Sequence, residues 1–170
     1  MIILGLGSNL SSKFGDRFKN IDYAISYLVA YQIKIVSKSS YYETPAYPNS
    51  KDPKFINIVA EVETSLDPVN LASVLIFIED KLKRVRKVKN EPRTCDIDII
   101  DFQGKAINFQ YKNFNFTVPH KKLIHRNFVL IPLFEINQKW KHPITKVPIN
   151  NLIEKLPDVD KKSILKIKKT

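Results

Sequence analysis

The strongest constraint on this chain is a rhythm in its first hundred residues. Short apolar, β-branched runs alternate there with two longer windows of helical spacing. MIILGL is a buried strand, and GSN after it marks a turn. Between Asp16 and Tyr31, residues Phe18, Ile21, Ala24, Ile25 and Leu28 recur at helical spacing. QIKIVSKSSYY alternates apolar and polar residues and predicts a strand, and ETPAYPNSKDPK, with three prolines, predicts a long loop. FINIVAEVET is the next strand. Val69 to Leu82 is helical, with Pro68 suited to its first turn, and TCDIDIIDF is the strand that follows. The order β-α-β-β-α-β predicts an α+β fold, a split βαβ sandwich with helices on one face of an antiparallel sheet. From Gly104 onward the pattern predicts a short hairpin, a helix over His125 to Ile136 and a helical piece near Leu152. Residues 1–160 are expected to form a single domain, and the lysine-rich residues 161–170 a frayed basic tail.

Charge narrows the function classes. A formal net charge of +11 over 170 residues favours a polyanionic partner: nucleic acid, a phosphorylated small molecule or an acidic membrane surface. A solvated basic surface with no specific partner is the alternative. Cys95 is the only cysteine, which excludes an internal disulfide and a cysteine-rich metal site. The first residues lack a basic leader, and no run has the length of a membrane span, so a cytoplasmic protein is expected.

Against that charge, PRTCDIDII at 92–100 stands out. Strand alternation points Asp96 and Asp98 one way and Cys95, Ile97 and Ile99 the other. Their Cα atoms lie roughly 6.5 Å apart. Two carboxylates that close repel unless a cation or proton intervenes, and hard oxygen ligands of this kind suit Mg²⁺. Two exposed aspartates on a sheet edge are the bland alternative. Lys81, Lys83, Arg84, Arg86, Lys87, Lys89 and Arg93 precede the pair, leaving a surplus of positive charge for something anionic. Such a run on its own is a solvated helix face or a loose loop. Together the two features describe a site for a Mg²⁺-bound polyphosphate.

Other segments say less. GLGS lacks the lysine of a P-loop and the third glycine of a dinucleotide fingerprint, and reads as a tight strand-to-helix turn. VPHKKLIHRNFVLIPLF sets His120, Lys121, His125 and Arg126 before an apolar helix, as a phosphate contact or as a capped, wet helix end. Phe55 and Phe128 are core residues by default, and Trp140 a packing anchor. A basic nucleic-acid-binding module is the competing class, though the chain lacks an aromatic RNP motif. A two-metal nuclease would need more acidic ligands than this pair.

Taken together, LGLGSNL, YYETPAY, FINIVAEVET, the RVRK…PRTCDIDII segment and VPHKKLIHRNFVLIPLFEI resemble the 6-hydroxymethyl-7,8-dihydropterin pyrophosphokinases of folate biosynthesis. The resemblance covers nearly the whole chain except the basic tail. It implies a ferredoxin-like fold with additional C-terminal strands and helices, and transfer of pyrophosphate from ATP to the pterin hydroxymethyl group. It further implies that Asp96 and Asp98 hold two Mg²⁺ ions, with Asp96 also touching the pterin. Arg84 and Arg93 would stabilise the transferring group, and His120 and Arg126 would meet ATP phosphates. Glu79, Arg86, Thr117, Lys121 and Ile99 would lie near the nucleotide. The pterin would sit between Phe55 and Phe128, its edge read by Asn57 and by the backbone around Thr44, Pro45 and Tyr47. A monomer without nucleic-acid or membrane partners is expected. Lys83 and Glu91 depart from the family pattern, standing where many members have glycine, and the loop between Arg86 and Pro92 is slightly short and lacks a tryptophan.

Overall fold

The computed structural model describes residues 1–47, 49–83 and 91–168. Strand β1 (Ile2–Ser8) leads to helix α1 (Arg17–Ala30), then β2 (Lys34–Lys38), β3 (Tyr41–Thr44) and β4 (Phe55–Glu63). Helix α2 (Pro68–Lys81) and strand β5 (Asp96–Phe102) complete the first half. The hairpin β6 (Ile107–Tyr111) and β7 (Phe114–Val118) follows, then α3 (Asn127–Ile136), α4 (Ile149–Glu154), α5 (Asp158–Ser163) and β8 (Leu165–Ile167).

Both early helices start where side-chain chemistry puts them. Asp16 accepts from the Lys19 N–H at 2.9 Å and Asp67 from the Asn70 N–H at 2.8 Å, each satisfying an orphan donor of the first turn. Pro68 opens α2, where its missing N–H costs nothing.

The main sheet is antiparallel in order β5-β1-β4-β3-β8, with β2 also pairing with β4. This is the α+β, ferredoxin-like arrangement. The predicted strand over 32–42 is divided: β2 pairs with the far half of β4 and β3 with its near half. A register shift between Ile35 and Ser37 and a break at Ser39 and Ser40 turn the chain between them. The frayed tail expected from residue 161 instead ends α5 and adds β8 to the edge of β3. Glu135 of α3 ties that edge down, accepting from the Ser40 N–H at 3.0 Å, the Tyr42 hydroxyl at 2.9 Å and Lys166 Nζ at 2.9 Å.

Two cores flank the sheet. On one face Leu4, Leu6, Ile58, Ile97 and Ile99 pack against Ile21, Ala24 and Leu28 of α1 and Leu71, Leu75 and Ile78 of α2. On the other, Ile3, Val59 and Ile100 pack against Val129, Leu130 and Leu133 of α3, and against Trp140 and Leu152. A bulge in β5 opposite Ile3 and Leu4 aligns the third aspartate of DIDIID with that second face. Asp101 there accepts from Trp140 Nε1 at 2.8 Å and from the Gly104 N–H at 2.8 Å, so its burial is compensated. No helix among the described residues is long and apolar enough to cross a membrane.

Candidate active site

The second face of the sheet is covered by α3 at one end only. At the other end the cross-strand register sets Asp96 beside Gly7, and Gly7 beside Asn57; one step inward, Asp98 pairs with Gly5 and Gly5 with Val59. Gly5 and Gly7 therefore belong to the interior of β1, and the turn read from GLGS begins only after Ser8. Glycine inside a strand marks a close approach, and the structure shows what approaches. A Cβ on Gly7 would stand 3.1 Å from Asn57 Oδ1 and 3.5 Å from the Phe55 ring, whereas the Ile100 side chain already covers Gly5.

Asp96 and Asp98 share this face, as strand alternation requires. Each is held by an arginine from a different segment. Arg93 Nη2 lies 2.8 Å from Asp96 Oδ2, and Arg126 Nη1 lies 2.8 Å from Asp98 Oδ2. Each guanidinium also sits over a ring: Arg93 at 5.0 Å from the Phe55 centroid, Arg126 at 5.5 Å from that of Phe128. Two parallel sets result, Phe55–Arg93–Asp96 and Phe128–Arg126–Asp98, which bring both rings beside the carboxylate pair. Arg93 Nε is buried and has no hydrogen-bond partner among the described residues. A polar ligand atom could satisfy it.

His120 stands beside the second set, its Nε2 3.1 Å from Arg126 Nη2. Its Nδ1 accepts from the Lys122 N–H at 3.0 Å. Burial, reinforced by Arg126 and Lys122 against the opposing pull of Asp98 and Asp96, holds this imidazole below the usual histidine range. A neutral ring has one acceptor nitrogen, yet donors face both.

Asn57 donates to Thr44 Oγ1 at 3.0 Å, and both are buried, which fixes the amide plane over Gly7. Pro45 and Tyr47 lie on the exposed loop after β3, Tyr47 at 75% exposure. Lys121 is exposed in the turn after β7, and Thr117 sits on β7 opposite Asn108. Two expected nucleotide neighbours face inward instead. Ile99 is buried against the helices, because alternation turns it away from Asp98. Glu79, 2% exposed, accepts from the Ile97 N–H at 2.7 Å, bonding β5 between the two aspartates. Arg84 and Arg86, with residues 87–90, lie outside the described residues. Lys83, in a position where the resemblance leads one to expect glycine, takes φ +63°, the left-handed conformation glycine favours. Sequence reading missed Gly7, Asn9 and Asp101; the only signal for the first two was GSN, taken as turn punctuation.

Among the described residues, no group of three or more His, Cys, Asp or Glu side chains gathers as a metal cage. The two aspartates fit a hard cation of the Mg²⁺ type, which keeps waters and shares phosphate oxygens. In the structure their charges are balanced by guanidinium groups.

Residues 3–138 match the family profile described as 7,8-dihydro-6-hydroxymethylpterin-pyrophosphokinase (HPPK). The chain is 36% identical to the 2-amino-4-hydroxy-6-hydroxymethyldihydropteridine pyrophosphokinase of Bacillus subtilis, over 84% of this chain and 81% of that protein. The Haemophilus influenzae protein of the same name is 32% identical, over 91% of this chain and 92% of its own length. Folic acid synthesis protein fol1 of Pneumocystis carinii is 36% identical over 96% of this chain, and the chain spans only 21% of that relative. A Plasmodium falciparum HPPK-DHPS structure with pterin and p-hydroxybenzoate superposes with TM-score 0.74 at 16% identity, over 98% of this chain and 47% of the other.

Proposed function

The chain belongs to the 7,8-dihydro-6-hydroxymethylpterin-pyrophosphokinase family, and from that premise we propose that residues 1–160 form one domain that transfers pyrophosphate from ATP to 6-hydroxymethyl-7,8-dihydropterin. The observation that carries this reading is the pair of aromatic–arginine–aspartate sets at the open end of the sheet.

In this proposal the hydroxymethyl oxygen attacks the β-phosphorus, the bond from that phosphorus to the bridging α–β oxygen breaks, and AMP leaves. Asp96 and Asp98 would hold Mg²⁺, two ions by the family pattern, supplying charge neutralisation at the phosphates. The flat pterin gains from stacking on the Phe55 and Phe128 faces, which the guanidinium groups now cover, and Asn57 reads its polar edge. Arg93 and Arg126, released from the carboxylates, would turn to phosphate oxygens, for which forked donors are suited. An anionic oxygen there would resolve two mismatches, satisfying the orphaned Arg93 Nε and accepting from His120 and Arg126 together. Arg84 is assigned to the transferring group, and Arg86, Thr117 and Lys121 to the nucleotide, on the family pattern. Glu79 and Ile99, whose side chains are buried, act through the backbone of β5. Binding does most of the catalytic work by aligning oxygen and phosphorus and by placing fixed positive charge where negative charge is spread.

A single chain supplies all these groups, which supports a monomer. The lone, buried Cys95 is consistent with a cytoplasmic setting. The nucleic-acid alternative has no support: the family match points elsewhere, and the sheet face such modules offer to bases is here half covered by α3.

Phosphorus NMR of Mg-ATP with the reduced pterin and pure protein tests the reading. AMP and pterin diphosphate are expected, in equal amounts and only when both substrates are present. Formation of ADP, or no turnover, would overturn it.

A further inference from the structure

Asn9 is the first residue beyond β1 and is 2% exposed. Its side chain bridges two separate loops. Asn9 Oδ1 accepts from the Arg93 N–H at 2.7 Å, and Asn9 Nδ2 donates to the Pro53 carbonyl at 2.9 Å. The backbone adds to the grip, since the N–H groups of Asn9 and Leu10 both donate to the Arg93 carbonyl, at 3.1 and 3.2 Å. Arg93 is therefore held by its peptide N–H and its carbonyl, while its guanidinium spans Asp96 and Phe55. Pro53 lies two residues before Phe55, at the end of the loop that leads into β4.

The clamp is itself anchored on α1. Asn20 Nδ2 donates to the Leu10 carbonyl at 2.8 Å, and Arg17 Nη1 donates to the Lys54 carbonyl at 2.6 Å. A primary amide suits this place because it presents one acceptor and one donor from a single planar group of this length. Alanine offers neither, and aspartate offers the acceptor without the donor.

We infer that Asn9 is a positioning residue that locks Arg93 to the Phe55 loop, so that the phosphate-facing cation and the pterin-facing ring keep one fixed spacing. The inference rests on the pyrophosphokinase reading for its kinetic meaning, not for its geometry. Asn9 touches no reacting atom. Its effect passes through the Arg93 peptide and the Pro53 carbonyl, and displacements of about 1 Å at such supports can cost a hundredfold in rate.

Two substitutions separate the halves of the clamp. Asn9→Asp keeps an acceptor for the Arg93 N–H but sets a carboxylate oxygen against the Pro53 carbonyl. It should raise the pterin KM about tenfold while the ATP KM and the slow hydrogen exchange of the Arg93 amide stay near wild type. Asn9→Ala frees both loops; kcat should fall roughly tenfold to a hundredfold and the Arg93 amide should exchange fast. Thermal melts show whether each variant is folded. A wild-type kcat with slow Arg93 exchange in Asn9→Ala would overturn the inference. So would an unchanged pterin KM in Asn9→Asp, which decides the matter alone if the alanine variant does not fold. If the wild-type protein makes no AMP, the functional reading fails, yet the exchange measurement still tests the clamp.

Discussion

The two ends of the sheet's second face are built from the same strands and differ in what stands on them. At the closed end Ile3, Val59 and Ile100 meet α3 and Trp140, and all are buried. At the open end, the same strands present Gly7, Asn57 and Asp96. The closed end gains from exclusion of water. The open end forgoes that gain, since a glycine cannot cover its neighbours and two like charges share one face. What keeps it ordered is electrostatic: each carboxylate has its arginine, and each arginine its ring. The buried end and the proposed site are thus separated by two to four residues along each strand.

The largest expected effect comes from removing that electrostatic order. Asp96→Ala and Asp98→Ala should each lower kcat about a hundred- to a thousandfold. The melting temperature should barely move, since these ion pairs are part-exposed and contribute little to folding. Steady-state kinetics beside calorimetry reads both. The mirror experiment is Ile100→Ala at the closed end, which should cost about 2–4 kcal/mol of stability in urea unfolding. Its kcat should change little. If the aspartate variants lose stability and the isoleucine variant loses rate, the division of labour is wrong.

Gly7→Val sharpens the boundary between the ends. Its side chain would press on Asn57 Oδ1 and the Phe55 ring, and the pterin KM should rise about tenfold in equilibrium or kinetic assays. The ATP KM should not follow.

The smallest effect lies in acid. Burial alone would raise the Glu135 carboxyl, but hydrogen bonds from Lys166, Ser40 and Tyr42 bring it down to about 2. A depressed carboxylate adds stability that is complete above its ordinary range near 4.5 and is lost as pH falls through about 2. Between those limits Glu135→Gln should show a shallower fall in melting temperature than the wild type, with kcat at neutral pH unchanged.

Much of this was legible in the sequence. Period-two alternation predicted that Asp96 and Asp98 share a face, and period 3.6 marked both early helices, because these patterns follow from local geometry. The α+β order followed from those elements. Pairings between distant segments were not legible. Nothing local says that Arg126 lies over Phe128 while reaching Asp98, or that Asn9 meets residues 44 and 84 positions away. The glycines of GLG were misjudged because in sequence a glycine that breaks a strand looks like one that lets a neighbour approach. Glu79 was expected near the nucleotide, and only the packing of α2 against the edge of β5 reveals that it faces inward.

The bulge in β5 has a consequence for how such a strand tolerates length changes. Upstream of it the aspartates alternate toward the open end; downstream, the extra residue resets the alternation, and Asp101 meets Trp140 instead of pointing among the isoleucines under the helices. Removing the extra residue, Ile100, would restore regular alternation from Asp98 and keep Asp101 on its present face opposite Ile3. Straightening the strand at constant length would instead turn Asp101 into the hydrocarbon under the helices. The phase of the anchor end is thus set by the bulge alone, independently of the two aspartates upstream, which keep their register with Gly5 and Gly7 whether or not the bulge is kept.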